Sequence, residues 1–241
     1  MSNTPTAHIG ASKEDIASVV LMPGDPKRSR FIAENFLEGA RLINDLRGVQ
    51  GYTGLYRGER VSVMASGMGM PSMGIYSYEL FSFFDVAAII RVGTVGGMSE
   101  RVRVRDLILG MGASTDSSFA AQYHLPGSFA PLCSYPLLSE AVRVAEEKGM
   151  RYHVGNLLST DVFYWDEPTD NARWQRLGIL GVEMEAAALY MNAARLGKQA
   201  LAVCTVSNHL LTGEETTAEE RETTFTDMMT VALEVARTVG K

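Results

Sequence analysis

Cysteine and histidine are scarce in this chain, and neither is arranged for a metal or redox site. Among 241 residues there are two cysteines, Cys133 and Cys204, and four histidines. The cysteines lack the spacing of metal-binding or redox pairs, and the histidines are too scattered for a metal-ligand motif. Cys204 lies in an apolar run, which favours a buried small hydrophobe over a nucleophile. The sequence therefore predicts no metal site.

Long apolar runs and an excess of positive charge are also missing. No apolar run reaches the roughly 20 residues of a membrane span, and the polar N-terminus lacks the apolar core of a signal peptide. The net charge of −6 argues against a nucleic-acid surface. These absences predict a soluble chain in a reducing compartment, the cytoplasm, with neither a membrane nor a nucleic acid as partner.

The chain contains instead a series of short apolar runs that end at turn residues. Runs of this kind predict buried strands, here at 17–22, 60–66, 86–92, 106–111, 179–182 and 200–206. Amphipathic segments predict helices at 28–36, 71–84, 137–148 and from near Thr216 onwards. Alternating strands and helices indicate a three-layer α/β fold in one domain, 1–241. The stretch 115–134 has no clear assignment.

Two carboxylates, Glu183 and Glu185, interrupt an otherwise apolar stretch that runs from 177 to 194 apart from Asn192. A buried carboxylate without partners costs several kcal/mol, so something must pair with both. Being two residues apart, they point to one side of an extended backbone. There they could accept hydrogen bonds from a vicinal diol such as that of a ribose. The alternative is that they open a helix and favour its positive end.

Two predicted strands end in glycine beside a basic or hydroxyl residue. Gly24 and Arg28 follow the first strand, and Arg91 and Thr94 stand at the end of the third. Ligands of open α/β sheets bind at such strand ends, where arginine matches phosphate oxygens. Neither segment matches GxGxxG or the P-loop, and glycine after a strand is often only a turn. Two such loops together favour an anion site.

Further candidates each have a structural alternative. Arg47 could complete a phosphate clamp or be a solvated charge. Met68 could form an adaptable apolar wall or lie in the core. Phe163 and Tyr164 could stack on a planar base or simply pack. Asn208, which ends the last strand, could offer its amide to a heterocycle edge or serve as a turn residue.

Taken in order, these segments resemble purine nucleoside phosphorylase of the hexameric bacterial type, in the nucleoside phosphorylase/uridine phosphorylase superfamily. The resemblance runs end to end through TAHI, MPGDP, LRG, GYTG, SGMGMPS, RVGTVGG, GMGASTDS, VGNLLSTDVFY, GVEMEAA, CTVSNH and TTAEERETTF. It implies an α/β/α fold with a central mixed twisted sheet flanked by helices. It also implies phosphorolysis of purine ribo- or deoxyribonucleosides to the free base and the sugar 1-phosphate, without a metal or organic cofactor.

The resemblance further implies a role for each residue that matches a family motif. Phosphate would be bound by Gly24, Arg28, Arg47, Arg91 and Thr94. The ribose would be bound by His8, Met68, Met184 and Glu185. The base would be bound by Phe163, Val182, Glu183 and Asn208. His8 and Arg47 would come from a neighbouring subunit, which implies a homo-oligomer, most simply a hexamer built as a trimer of dimers with shared sites.

Two positions depart from the family's commonest residues. Thr94 stands where serine is usual and keeps the hydroxyl. Asn208 stands where an aspartate usually acts as general acid on purine N7, and an amide cannot give up a proton in that role. The catalytic pair would then be Asn208, as a hydrogen-bond donor, and Arg221, which would organise it on loop closure. Because a 6-oxopurine leaves with charge on O6 as well as N7, this predicts inosine and guanosine over adenosine.

Three other functions remain open at this point. A uridine phosphorylase typically carries a Gln and an Arg after its FY pair, and 163–168 has neither. A hydrolytic nucleosidase would not need the arginines Arg28, Arg47 and Arg91. A nucleoside-binding protein, inactive because of Asn208, is opposed by the retained phosphate loops.

Overall fold

A computed structural model describes residues 4–164, 166, 170–217, 219–220 and 225–239 of the chain. The described strands form one sheet: β1 (Val19–Met22), β2 (Glu38–Asn44), β3 (Gly51–Tyr56), β4 (Glu59–Met64), β5 (Ala88–Gly97), β6 (Leu107–Thr115), β7 (Tyr152–Ser159), β8 (Gly181–Glu183) and β9 (Gln199–His209). Strands β5, β8, β7, β6 and β9 close into a ring because β5 pairs with both β8 and β9, and β1, β4, β3 and β2 extend from β5. Parallel and antiparallel pairs occur together, which confirms the mixed sheet.

Helices cover both faces of this sheet. Those of the described chain are α1 (Pro26–Phe36), α2 (Met70–Phe83), α3 (Tyr135–Glu147), α4 (Asp170–Gln175), α5 (Ala186–Leu196) and α6 (Thr226–Ala236). The apolar residues of α2 and α5 share one buried core, and those of α1, α3 and α6 share a second. The three-layer α/β/α build predicted from the sequence is thereby confirmed. No helix among the described residues is long and apolar enough to cross a bilayer.

The ends of several helices follow from local chemistry. The Asp25 carboxylate caps α1 by accepting the backbone N–H of Lys27 at 2.9 Å, and Pro26 occupies the first turn. Pro71 has the same place in α2. Just beyond α3, Gly149 has a φ of +64°, the left-handed conformation in which glycine commonly terminates helices. These three helices begin and end within two residues of the bounds expected from the sequence, 28–36, 71–84 and 137–148.

Tyr190 holds α5 against the sheet. Its hydroxyl donates to the carbonyl of Gly110 on β6 and accepts the N–H of Ala202 on β9 at 2.9 Å. The side chain is fully buried, and burial raises the pKa of Tyr190 well above its ordinary value. The hydroxyl therefore stays protonated. Its two hydrogen bonds fix the position of α5, which begins shortly after the end of β8.

The sequence prediction differs from the structure in three places. It misses β2, β3 and β7, whose side chains do not form continuous apolar runs. The unassigned stretch 115–134 contains a short 3₁₀ turn, Phe119–Tyr123, and a bridge between Leu132 and Gly112. The sequence prediction names no helix at α4, and it gives α5 only as the alternative in which Glu183 and Glu185 open a helix.

The helix expected from near Thr216 does begin there, because residues 219–220 are helical. The N–H of Thr217 donates to the Glu220 carboxylate at 2.8 Å and the N–H of Glu220 to the Thr217 hydroxyl at 3.2 Å, a capping box, and α6 starts at Thr226.

Candidate active site

The predicted site lies where several strands reach their carboxyl ends. The N–H of Ser66, after β4, donates to the carbonyl of Pro23, after β1, at 2.8 Å. Gly69, at the start of α2, donates its N–H to the carboxylate of Glu185 at 2.7 Å. At the end of β5, Gly96 pairs with Val182 on one side and with Asn208 on the other. The loops that carry the candidate residues therefore meet at one edge of the sheet, as expected for strand-end sites.

Arg91 lies at the centre of this edge, between the two carboxylates. Its Nε donates to Glu183 Oε2 at 2.8 Å, and a terminal nitrogen donates to Glu185. All three residues are at most 5% exposed. We call Arg91, Glu183 and Glu185 the charge centre. The two carboxylates do point to one side, as their spacing predicts, and the partner they require is Arg91.

Glu183 also caps α5. The alternative expectation, that this carboxylate opens a helix and favours its positive end, therefore holds as well. Its carboxylate accepts the N–H of Glu185 at 2.9 Å and that of Ala186 at 3.0 Å, next to the positive end of the helix. The buried hydroxyl of Ser159 donates to its other oxygen and accepts the N–H of Ala187 at 2.9 Å. A carboxylate has about four acceptor positions. Protein donors occupy both oxygens of Glu183.

Glu185 is bound less completely. The N–H of Gly69 donates to one oxygen and a nitrogen of Arg91 to the other, and the backbone N–H of Met184 also contacts the carboxylate. Burial raises the pKa of the Glu185 carboxyl, and the charge of Arg91 lowers it in part. For Arg91, burial disfavours the charge, but the attraction of Glu185 and Glu183 prevails and raises the pKa of the guanidinium. Arg91 is therefore always charged.

Gly93 makes room for the guanidinium. A Cβ at this position would lie 2.7 Å from Cζ of Arg91, closer than real contacts allow. The guanidinium of Arg91 therefore lies over the backbone of Gly93, two residues further along the same strand. Any side chain at position 93 would collide with it. On β9, next to Gly93, Cys204 is fully buried, and burial raises the pKa of its thiol to about 12. The prediction that Cys204 is a buried hydrophobe is supported.

Three other predicted phosphate residues, Gly24, Arg28 and Thr94, lie on β5 or just after β1. Gly24 is so close to the neighbouring loop that a Cβ on it would be 3.3 Å from the carbonyl oxygen of Gly67. Arg28 is 6% exposed in the first turn of α1. Thr94 is half-buried, three residues beyond Arg91 on β5.

Asn208 and Val182 flank Gly96 at the same edge. The Ser207 hydroxyl donates to Oδ1 of Asn208 at 3.0 Å. His209 is buried beside them, with Nδ1 accepting the N–H of Leu211 at 3.2 Å and Nε2 lying 3.1 Å from the carbonyl of Ser99. His209 is thus held by hydrogen bonds to the backbone. The amide of Asn208 lies next to Gly96 at the end of β5.

Three large apolar side chains in the loops that follow β4 and β7 are exposed. Met68 is 83% exposed, Phe163 70% and Tyr164 87%, and the two rings meet edge to face with centroids 4.9 Å apart. We call these three residues the rim. The alternatives that placed Met68 in the core, or that packed the rings into it, are excluded. Met184 is half-buried between the two carboxylates.

His8 and Arg47 lie on a different part of the molecule. His8 Nδ1 is 2.6 Å from Glu79 Oε1, and its ring meets Tyr76 edge to face with centroids 6.1 Å apart. Burial raises the pKa of Tyr76 and the charge of Arg47 partly lowers it, which places Arg47 near the same ring. Glu79 is nine residues beyond Met70, about 14 Å along α2 from the helix start that contacts Glu185.

The remaining predicted residue, Arg221, lies outside the described residues. The sequence analysis does not name Ser159, Glu79 or Ser207. In the structure they bond to Glu183, His8 and Asn208 respectively, and none of them belongs to a recognisable motif loop. Their one signal in sequence is a polar side chain at the end of a strand or on the inner face of a helix. Within the described ranges, no group of three or more His, Cys, Asp or Glu side chains is placed to hold a metal ion.

A family model described as the phosphorylase superfamily matches residues 18–240. The chain belongs to this superfamily. It is similar to the DeoD-type purine nucleoside phosphorylase of Clostridium novyi (strain NT), with 51% identity over 231 residues that cover 96% of this chain and 99% of the relative. The protein of that name from Roseobacter denitrificans (strain ATCC 33942 / OCh 114) is 52% identical over 231 residues, 96% of this chain and 99% of the relative. These matches confirm the resemblance read from the motifs.

Proposed function

We propose that this chain catalyses the phosphorolysis of purine nucleosides to the free base and the sugar 1-phosphate. The observation that carries the proposal is the charge centre. In it one buried arginine lies between Glu183, whose oxygens are occupied by protein donors, and Glu185, which has fewer protein donors. The similarity to DeoD-type purine nucleoside phosphorylases over nearly the whole chain supports the same reaction.

The ribose is assigned to Glu185. Its two oxygens each have acceptor capacity left after Gly69 and Arg91 are bound, which matches the two hydroxyls of a vicinal diol. Met184 offers an apolar surface beside it. Glu183, although predicted to bind the base, is filled by protein donors and is better described as the residue that orients Arg91 and caps α5.

Phosphate is the nucleophile in this reaction. Arg28 and Arg91, with Gly24 and Thr94, would hold it beneath the anomeric carbon, which turns a two-body encounter into a local one. A phosphate oxygen bonds to the anomeric carbon as the glycosidic C–N bond breaks, and the electron pair of that bond leaves with the base. The negative charge of phosphate and of Glu185 stabilises the developing positive charge on the sugar.

The base is assigned to the space bounded by Phe163, Val182 and Asn208. The amide of Asn208 can donate to N7 or O6 of a departing purine but cannot transfer a proton. A 6-oxopurine spreads its charge onto O6 and needs that proton less than adenine does. The proposal therefore includes a preference for inosine and guanosine over adenosine.

A homo-oligomer completes the site in this proposal. His8 and Arg47 share one face, and the contact of His8 with Glu79 is about 14 Å along α2 from the charge centre of the same chain. A neighbouring copy that presents this face would bring a histidine and an arginine to the open side of the pocket. A hexamer built from such dimers is the arrangement that the resemblance implies.

One assay tests the proposal. Cleavage of inosine, guanosine, adenosine and uridine is measured with and without phosphate. We expect phosphate-dependent release of hypoxanthine and guanine, slower release of adenine, and little release of uracil. Cleavage that does not need phosphate would favour a nucleosidase, and preferred cleavage of uridine would favour a uridine phosphorylase; either result contradicts the proposal.

A further inference from the structure

Near the end of β9, the side chain of Asn208 is hydrogen-bonded to its neighbour in the chain. The hydroxyl of Ser207, the preceding residue, donates to its Oδ1 at 3.0 Å, and Ser207 is only 3% exposed. The carbonyl of Ser207 is already occupied, since it accepts both the N–H of Thr216 at 2.9 Å and its hydroxyl at 2.8 Å. The serine is therefore fixed in the strand, and its hydroxyl faces the amide.

A second contact gives the direction of that amide. A Cβ built on Gly96 would lie 3.4 Å from Nδ2 of Asn208 but 3.7 Å from Oδ1, and 3.4 Å from Cγ1 of Val182. The nitrogen end of the amide is thus nearer to Gly96, and the oxygen end faces Ser207.

A hydroxyl has a single proton to donate. With the observed orientation, that proton is used on Oδ1 of Asn208. If the amide turned over, its NH₂ group would face the hydroxyl, and the Ser207 proton would need another acceptor in a buried place. A buried donor without an acceptor is unfavourable, so the hydroxyl selects one of the two amide orientations.

We propose that Ser207 is a specificity-determining positioning residue, whose hydroxyl holds the Asn208 amide with its N–H groups towards the purine base. This inference rests on the proposed function and deepens it. An N–H donor stabilises negative charge that develops on N7 and O6 of a departing 6-oxopurine. An amide turned over would present its oxygen, which repels O6 but can accept from the amino group of adenine.

The test compares the ratio of kcat/KM for inosine to that for adenosine, at saturating phosphate, in the full-length protein. Ser207→Ala removes the hydroxyl, Ser207→Cys keeps its shape with a weak donor, and Ser207→Thr keeps the hydroxyl. Thr216→Val is the matched control, because it removes a hydrogen bond to the same residue without touching the Ser207 hydroxyl. Thermal unfolding of each variant shows whether it is folded.

We expect Ser207→Ala and Ser207→Cys to lower the inosine-to-adenosine ratio roughly 3- to 10-fold, the change that one hydrogen bond typically supports. Ser207→Thr and Thr216→Val should keep the wild-type ratio. If the wild type prefers inosine and Ser207→Ala and Ser207→Cys keep that preference, the role of Ser207 is overturned while the proposed function stands. An equal shift in Thr216→Val also overturns it, because general loosening would then explain the change. A wild type that prefers adenosine, or needs no phosphate, contradicts the proposed function itself.

Discussion

The charge centre and the rim of the site differ in how far a single chain determines their geometry. Arg91, Glu183 and Glu185 are buried, and each is bound by groups on other strands or loops. Met68, Phe163 and Tyr164 are largely exposed, and the rings of Phe163 and Tyr164 pack edge to face. The half of the site assigned to phosphate and ribose is therefore preorganised, whereas the half assigned to the base gains its contacts from the substrate.

The same contrast exists within the charge centre. Glu183 accepts from the side chains of Arg91 and Ser159 and from the backbone at the start of α5. Glu185 keeps acceptor capacity on both oxygens. The proposed function thus gives two carboxylates separated by one residue different tasks, one in stability and one in binding.

The largest effect should follow from removing Arg91. Arg91→Met leaves two buried carboxylates without their cation, which should lower the free energy of unfolding by ~3–5 kcal/mol and abolish activity. Arg41→Met is the control, because its ion pair with Asp15 is largely exposed and should contribute ~1 kcal/mol or less. Urea unfolding of both variants measures the difference. Equal losses would show that the charge centre is not specially stabilising.

A comparison of Glu183→Gln with Glu185→Gln separates the two tasks. In Glu183→Gln an NH₂ group faces donors at the start of α5, so we expect the larger loss of stability, on the order of 2–4 kcal/mol. In Glu185→Gln we expect the larger loss in kcat/KM for inosine, at least ~10²-fold, with a smaller change in stability. The reverse assignment of the two effects would contradict the proposed roles.

The pH dependence of kcat/KM should show the raised pKa of the buried Glu185 carboxyl. Burial raises the pKa of this carboxyl, and the ionised form is the one that accepts the ribose hydroxyls. As the pH falls, that form is lost at a higher pH than for an exposed glutamate. We expect the acid limb of kcat/KM for inosine, at saturating phosphate, to have an apparent pKa above 4.5, the ordinary value. An acid limb at or below 4.5 would speak against this role of Glu185.

Substitutions in the rim should have the smallest effect on stability and a moderate one on binding. Phe163→Ala should change the free energy of unfolding by less than ~0.5 kcal/mol, because the ring is exposed. If the ring stacks on the base, KM for inosine should rise roughly 5- to 100-fold, the range of one base–aromatic stack. Tyr164→Ala is the matched control for a neighbouring exposed ring. An unchanged KM in Phe163→Ala would remove this residue from the base site.

Much of this site could be predicted from residue type and position. Gly24 follows β1 and Asn208 is next to the last residue of β9, and strand ends of an α/β sheet meet at one edge, so their proximity follows from the fold class. The sequence predicts a strand end just after Arg91 as well, although β5 continues to Gly97 and Arg91 pairs with Met22 at the end of β1. The pairing of Arg91 with both carboxylates could not be predicted, because it depends on the register of β5 against β8. The strands β2, β3 and β7 were missed since they lack continuous apolar runs, although β2 and β3 extend the sheet beyond β4.

The most direct test is a crystal structure with phosphate and a non-cleavable inosine analogue bound. The account predicts both ribose hydroxyls within hydrogen-bond distance of Glu185, phosphate in contact with Arg91, and every contact of Glu183 with Arg91, Ser159 and α5 unchanged. Ribose hydroxyls on Glu183, or phosphate bound away from Arg91, would contradict it.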